Sequence, residues 1–256
     1  MLTVISPAKK LDFDPVGHPM TPPRFAAETA TLLTTARRQG IGDLRKLMSI
    51  SDALARLNRD RFRDWDDAPE KPAIFAFAGD TYTGLDAATL SEDALRHAQG
   101  HLRILSGMFG LLRPFDALKP YRLEMGSKLA TRRGKDLYAF WGDRLARALN
   151  QDAEEAGTRL LVNCASQEYF GAVDRKALAL DIITPTFLED KPGGPKIVSF
   201  FAKQARGAMA RFVMENRLTD ADDLRGFSTG GYVWQAGPST PETPVFLRPE
   251  QAQKAA

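Results

Sequence analysis

The stretch RILSGMFGLLRPFDALKPYRLEMG, residues 103–126, decides how this chain is to be read. An apolar run ends in Ser106-Gly107, and Gly110, Pro114, Pro120 and the triplet Arg122-Leu123-Glu124 follow. Gly and Pro at this density break both helices and strands, so the stretch is not one plain element. RIL has the apolar, β-branched character of a buried strand. On that reading Ser106-Gly107 is a loop at the strand's carboxyl end, and the Pro-bounded segment after it presents Tyr121-Arg122.

Four further apolar, β-rich runs end in small or polar residues in the same way: LTVIS (2–6), AIFAFAGD (73–80), LLVNCAS (160–166) and KIVSF (196–200). Unbroken Val/Ile/Leu/Phe without alternation is the mark of a strand buried on both faces. IITPTFL (182–188) carries Pro185 and reads as an edge or interrupted strand. Helical spacing lies between the runs. FAAETATLLTTARR (25–38) is one helix, and Ser51 caps a second with Leu54, Leu57 and Phe62 as its inner stripe. Ser91 caps a third, WGDRLARALNQDAEEA (141–156) is a fourth, and residues 200–217 form a fifth. The alternation predicts an α/β fold with a mostly buried mixed or parallel sheet flanked by helices. No composition shift divides the chain, so residues 1–256 read as a single domain, with an irregular tail from about 237 in which VFLRP adds an edge strand.

Apolar content of 43% and charged content of 26% are those of a soluble globular protein. The amino terminus lacks the charge-then-apolar order of a secretory signal, and no run approaches the ~18 apolar residues of a membrane span. One cysteine, Cys164, rules out an internal disulfide and suits the reducing cytosol, so the expected location is cytoplasmic, with no membrane partner. Net charge is +3, but residues 101–144 hold nine Lys/Arg against four acids, 9 − 4 = +5, which leaves −2 for the rest. A basic block on a near-neutral chain suggests an anionic partner, phosphate or nucleic acid, or else a solvated face.

Chemistry-bearing residues fall just past the apolar runs. Lys9 follows the first, Asp80 and Tyr82 the second, Ser106-Gly107 the third, Asn163, Ser166, Glu168 and Tyr169 the fourth, and Lys203 and Arg206 the fifth. In open α/β sheets ligands bind outside the carboxyl ends of strands, which predicts a site there. Turn chemistry alone explains the small residues but not Lys9, Glu168, Lys203 and Arg206. On the 200–217 helix, Lys203, Arg206 and Arg217 lie within about 60° of one another, opposite an apolar face, with Gly207 and Ala210 small beside them. The candidate acid/base groups are Lys9, Asp80, Glu168 and Lys203. Tyr82, Tyr121, Asn163, Ser166 and Tyr169 are candidates to position a ring. The candidate DNA- or phosphate-binding set is Arg103, Ser106, Gly107, Arg113, Lys119, Arg122, Lys128, Lys203, Arg206 and Arg217.

His97 and His101 stand four apart, but no acid or Cys at a suitable offset joins them, so no metal site is expected. There is no phosphate-cradling Gly-rich motif, and no cofactor is predicted. LSGMFG (105–110) is similar to the turn of a helix-hairpin-helix, whose Gly loop offers N–H groups to a DNA phosphate. It carries one residue more than the usual apolar–X–Gly–apolar–Gly hairpin, and such a hairpin needs helices on both sides. Nucleic-acid and ligand-loop readings both stay open from the local sequence.

Several longer stretches resemble the bacterial YaaA family of peroxide-stress resistance proteins. They are ISPAKKLDF (5–13), FAGDTYTGLDA (77–87), residues 101–126, GKDLYAFWGD (134–143), NCASQEYF (163–170), residues 196–218 and GFSTGGYVW (226–234). The resemblance runs collinearly from about residue 2 to 235. It implies one α/β domain of unusual topology that limits iron-driven oxidative damage under hydrogen peroxide. It also implies double-stranded DNA binding through a basic cleft and a helix-hairpin-helix-like element. The 103–126 segment is also similar to a domain that accompanies enzymes exchanging or modifying nucleobases, which leaves a nucleobase- or nucleotide-acting enzyme as the alternative.

Overall fold

The structure, a computed structural model, describes residues 1–253. Its main sheet has five strands in the spatial order Gly110–Leu112, Leu102–Ser106, Leu2–Ile5, Leu160–Cys164 and Asp181–Ile183. All pairings are parallel except the hairpin between Leu102–Ser106 and Gly110–Leu112. Leu2–Ile5 is buried along its whole length, as its unbroken apolar run requires of a central strand covered on both faces. Ile5 lies opposite Ile104 on one side and Cys164 on the other. The Leu2–Ile5 and Leu160–Cys164 strands therefore end level, the Leu102–Ser106 strand runs two residues further, and their following loops leave from one edge.

The first strand is flanked by later strands on either side, so the chain reverses its direction across the sheet at this point. That is where open α/β sheets form crevices at their carboxyl edge. The long helix Ser199–Asn216 lies over this region and packs against Leu2–Ile5, Leu160–Cys164 and the short helix Asp80–Leu85. A second sheet orders Thr186–Glu189, Val245–Arg248 and Val233–Trp234, with mixed pairing. The mixed α/β architecture is as the alternation of elements predicts. The apolar run 182–188 is split by Pro185 between the two sheets, and VFLRP, expected as an edge strand, is instead the middle strand of the second, paired on both sides.

Helices at Ala26–Arg37, Asp52–Arg63 and Glu92–His101 agree with the periodic pattern. Ser51 Oγ accepts from the Leu54 N–H at 3.4 Å, and Ser91 Oγ from the Ala94 N–H at 3.1 Å. Four expectations need correction. LSGMFG is the turn of a β-hairpin, with strands and not helices on both sides, so no helix-hairpin-helix forms there. AIFAFAGD contains one helical turn, Ala73–Ala76, and a two-residue strand outside the main sheet. KIVSF leads into the long helix and leaves Ile197 and Phe200 exposed. An apolar run signals burial or contact, and its pairing is settled only by neighbours. Finally, the Ser51-capped helix buries Ala55, Asn58 and Phe62, while Leu54 and Leu57 face outward.

Candidate functional site

The loops at the carboxyl edge of the sheet enclose a cleft of about 410 Å³. Ser6–Lys10 come from the end of the first strand, Cys164, Ser166, Glu168 and Tyr169 from the fourth, and Asp80 from the start of its helix. Lys203 and Arg206 descend from the long helix, and Glu124 enters from the Pro-bounded segment. Of the residues singled out from sequence, Lys9, Asp80, Ser166, Glu168, Tyr169, Lys203 and Arg206 thus share one cleft. Glu124 belongs with them and was not among the candidates. Its Arg122-Leu123-Glu124 triplet, crowded by Gly and Pro, was the available signal.

The charges alternate around the cleft. Lys203 Nζ lies 3.7 Å from Asp80 Oδ2, and Lys9 Nζ lies 3.6 Å from Glu124 Oε1. Glu124 Oε1 also accepts from Arg122 Nε at 3.0 Å. Its other oxygen is buried without a hydrogen-bond partner. Glu168 Oε1 accepts from the Gly126 N–H at 3.0 Å, which fixes it against the end of the 103–126 stretch. Arg206 is half-buried and has no ion-pair partner among the described residues. A guanidinium in that state keeps donors with the geometry to pair with an oxyanion. Four cations, Lys9, Lys10, Lys203 and Arg206, face three carboxylates, Asp80, Glu124 and Glu168.

The first and fourth strands are tied together at the cleft. The Ser166 N–H donates to Ser6 Oγ at 2.8 Å, and the two hydroxyls are 3.3 Å apart. Below lie buried tyrosines. Tyr82 donates to the Ser6 carbonyl at 3.2 Å, and Tyr121 shares a 2.6 Å hydrogen bond with Ser106. Burial, then Tyr121, Glu168 and Glu124 nearby, pushes the Tyr169 phenol well above its ordinary value. Burial likewise raises Tyr121 and Tyr82. In each the shift favours the protonated phenol.

Cys164 is buried, and burial pushes its thiol up to about 12 against a smaller downward pull from Arg206. A peroxide-reactive cysteine needs the opposite, a thiolate at neutral pH. The expected result is that a thiol reagent leaves Cys164 of the native protein unlabelled from pH 6 to 9 and labels it only after unfolding. Rapid labelling of the native protein, read by absorbance, would contradict this.

The other candidates lie elsewhere. Arg103 is buried with its Nε 2.6 Å from Asp152 Oδ2 and its Nη1 donating to the carbonyls of Gln99 and Leu102. Ser106 is buried and accepts from the Phe109 N–H at 2.9 Å. Gly107 is where the hairpin tip meets the Leu123 backbone, since a Cβ there would come within 2.2 Å of the Leu123 carbonyl oxygen. Arg113 pairs with Asp116 at 3.0 Å, and Lys119 donates to the Trp65 carbonyl at 2.8 Å. Lys128 is exposed, away from the cleft lining. Arg217 caps the long helix and pairs with Asp93. Asn163 opens onto a second cleft beside the first.

The +5 block of residues 101–144 is therefore not one basic face. Four of its nine cations pair with acids from outside the block: Arg103 with Asp152, Lys119 with Glu70, and Arg133 and Arg144 with Glu28. His97 and His101 stack at 3.9 Å with no acid or Cys completing a cluster, and no group of three or more His, Cys, Asp or Glu among the described residues is placed to hold a metal. No helix among them is long and apolar enough to cross a membrane.

Comparison with known proteins bears on this cleft. The family model described as "Peroxide stress protein YaaA" matches residues 1–237. A UPF0246 protein of Ruegeria pomeroyi is 60% identical over 255 residues, covering 98% of this chain and 100% of its own length. UPF0246 proteins of Jannaschia sp. and Roseobacter denitrificans are each 60% identical over 258 residues, covering 100% and 98% of this chain respectively and 100% of their own lengths. The cleft-forming segments all lie within the matched residues, and this chain belongs to the peroxide stress protein YaaA family.

Proposed function

We propose that the protein acts in the cytosolic response to peroxide by binding double-stranded DNA through the first cleft, limiting iron-driven oxidative damage there. One observation carries this reading: cations from one strand-end loop and one long helix gather in a single cleft, while most other cations considered for phosphate are neutralised internally. Arg206 and Lys203 sit one turn apart on the helix and line the same opening. Each phosphate neutralised contributes about −0.9 to the log–log slope of affinity against salt. The expected result is duplex binding at low salt with a steep slope. Lys203→Glu with Arg206→Glu weakens it by at least about tenfold and flattens the slope by about 2. Fluorescence anisotropy at rising salt measures both. No binding at low salt, or binding indifferent to the double variant, ends the proposal.

A second reading, a nucleotide- or nucleobase-acting enzyme, is favoured by Asp80, Glu124 and Glu168, which a DNA phosphate does not require. Carboxylates next to lysines suit general acid/base work on a bound base. On either reading the cleft takes a phosphate-bearing ligand.

A further inference from the structure

The fourth strand of the main sheet ends between two clefts. Its residues alternate, as a pleated strand requires: Cys164 and Ser166 line the first cleft, whereas Asn163 and Ala165 line a second of about 390 Å³. Arg206 is the one side chain that lines both. It belongs to the long helix, which packs against this strand, and lies where the two clefts adjoin. The clefts differ in chemistry. The first is crowded with charges. The second has Phe170 and Phe187 as its apolar floor and Ile197 as an exposed rim; its polar groups are Asn163, Gln167, Thr184 and Thr186, and besides Arg206 its one charged residue among those described is the exposed Arg175.

Asn163 is only 7% exposed. Its Oδ1 is held by the Ala165 N–H at 3.1 Å, while its Nδ2 makes only a long 3.4 Å contact with Thr184 Oγ1. An amide group carries two N–H donors, so one is left for a ligand. A cleft with an apolar floor, an orienting amide and a hydroxyl suits a flat, uncharged ring with hydrogen-bonding edges. The guanidinium beside it suits a phosphate covalently attached to that ring.

We infer that the second cleft is a base subsite, taking the base of a nucleotide whose phosphate sits on Arg206. This rests on the reading of the first cleft as a phosphate site and adds what that cleft does not supply, a place for the base. The nucleotide can come from two sources, a free nucleotide or an unpaired nucleotide in DNA, and the ring is the same in both. A fully paired base cannot enter, because its edge and faces are occupied in the stack.

The test uses the full chain at fixed salt with four probes: a paired duplex, the same duplex with one unpaired thymidine, free dTMP and inorganic phosphate. The expected result is about tenfold tighter binding of the duplex with the unpaired thymidine, or of dTMP over phosphate, as a stacked and hydrogen-bonded base provides. Ile197→Ala, at an exposed position that cannot unfold the core, and Asn163→Leu should each cut that preference at least threefold. Paired-duplex affinity and its salt slope should not change. If the two duplexes bind equally and dTMP binds no better than phosphate, the subsite is overturned while DNA binding stands. If dTMP binds in an Ile197-dependent way but no duplex binds, the subsite stands with a free nucleotide and the DNA reading falls. No binding of any probe ends both.

Discussion

Replacing Gly207 with alanine should destabilise the protein by about 3 kcal/mol or more, because overpacking a well-filled contact commonly costs ~1–3 and here the obstacle is backbone. A Cβ at Gly207 would lie 1.7 Å from the Thr81 carbonyl oxygen and 2.8 Å from the Leu85 nitrogen. The contact is reciprocal, since a Cβ at Gly84 would lie 2.0 Å from the Gln204 carbonyl oxygen. Two helices, Asp80–Leu85 and Ser199–Asn216, thus meet backbone to backbone through a pair of glycines. Gly207, beside the cations of the long helix, therefore serves this crossing. The crossing also sets the 3.7 Å separation of Lys203 and Asp80, so a variant that survives should bind phosphate-bearing ligands poorly. Gly100→Ala is the control. It lies on the Glu92–His101 helix with nothing within 4 Å of its added methyl, and it should stabilise by about 0.5–1 kcal/mol. Urea denaturation read by circular dichroism measures both, and a Gly207→Ala variant as stable as wild type would refute the close-contact account.

Asp152→Ala should cost about 3–5 kcal/mol, the range for removing one partner of a buried ion pair and stranding the other. Asp152 is 1% exposed and holds two guanidiniums, Arg103 Nε at 2.6 Å and Arg24 Nη2 at 2.5 Å. Arg103, 3% exposed, would keep its charge without a counterion. Replacing both members with apolar residues of similar size, Asp152→Leu with Arg103→Met, should recover much of the loss. Asp143→Ala, which breaks the exposed Arg147–Asp143 pair, should cost ~0.5 kcal/mol or less. If Asp152→Ala proves as mild as Asp143→Ala, the buried cluster does not hold the hairpin strand to its helix.

The two predictions show why a charge count misleads here. Asp152 is 49 residues from Arg103, and Glu28 is 105 residues from Arg133. Neutralisation at those distances leaves no local trace, so a run rich in Lys and Arg reads as a basic face when it is partly an internal network. The strand-end pattern was more informative. Lys9, Asp80, Ser166, Glu168, Lys203 and Arg206 follow or end four apolar runs, and those four runs or their sequels open onto the same edge of the molecule. KIVSF has the composition of a strand and pairs with none of the main sheet, yet its sequel, Lys203 and Arg206, reaches the cleft through the helix that follows.

From the sequence alone came the α/β class, the three central strands, most helix starts, and the cluster of polar residues at strand ends. Each depends on spacing within one segment, on period 2 or 3.6, on a capping hydroxyl, or on burial on both faces. Only the tertiary structure decided that LSGMFG turns a β-hairpin, that Arg103 is buried, that Glu124 belongs to the cleft, and that Asn163 and Cys164 open onto different cavities. Those outcomes depend on which distant segment arrives opposite a given side chain. For the opening stretch, its Gly107 admits the backbone of Leu123, and its contribution to the site comes through Glu124.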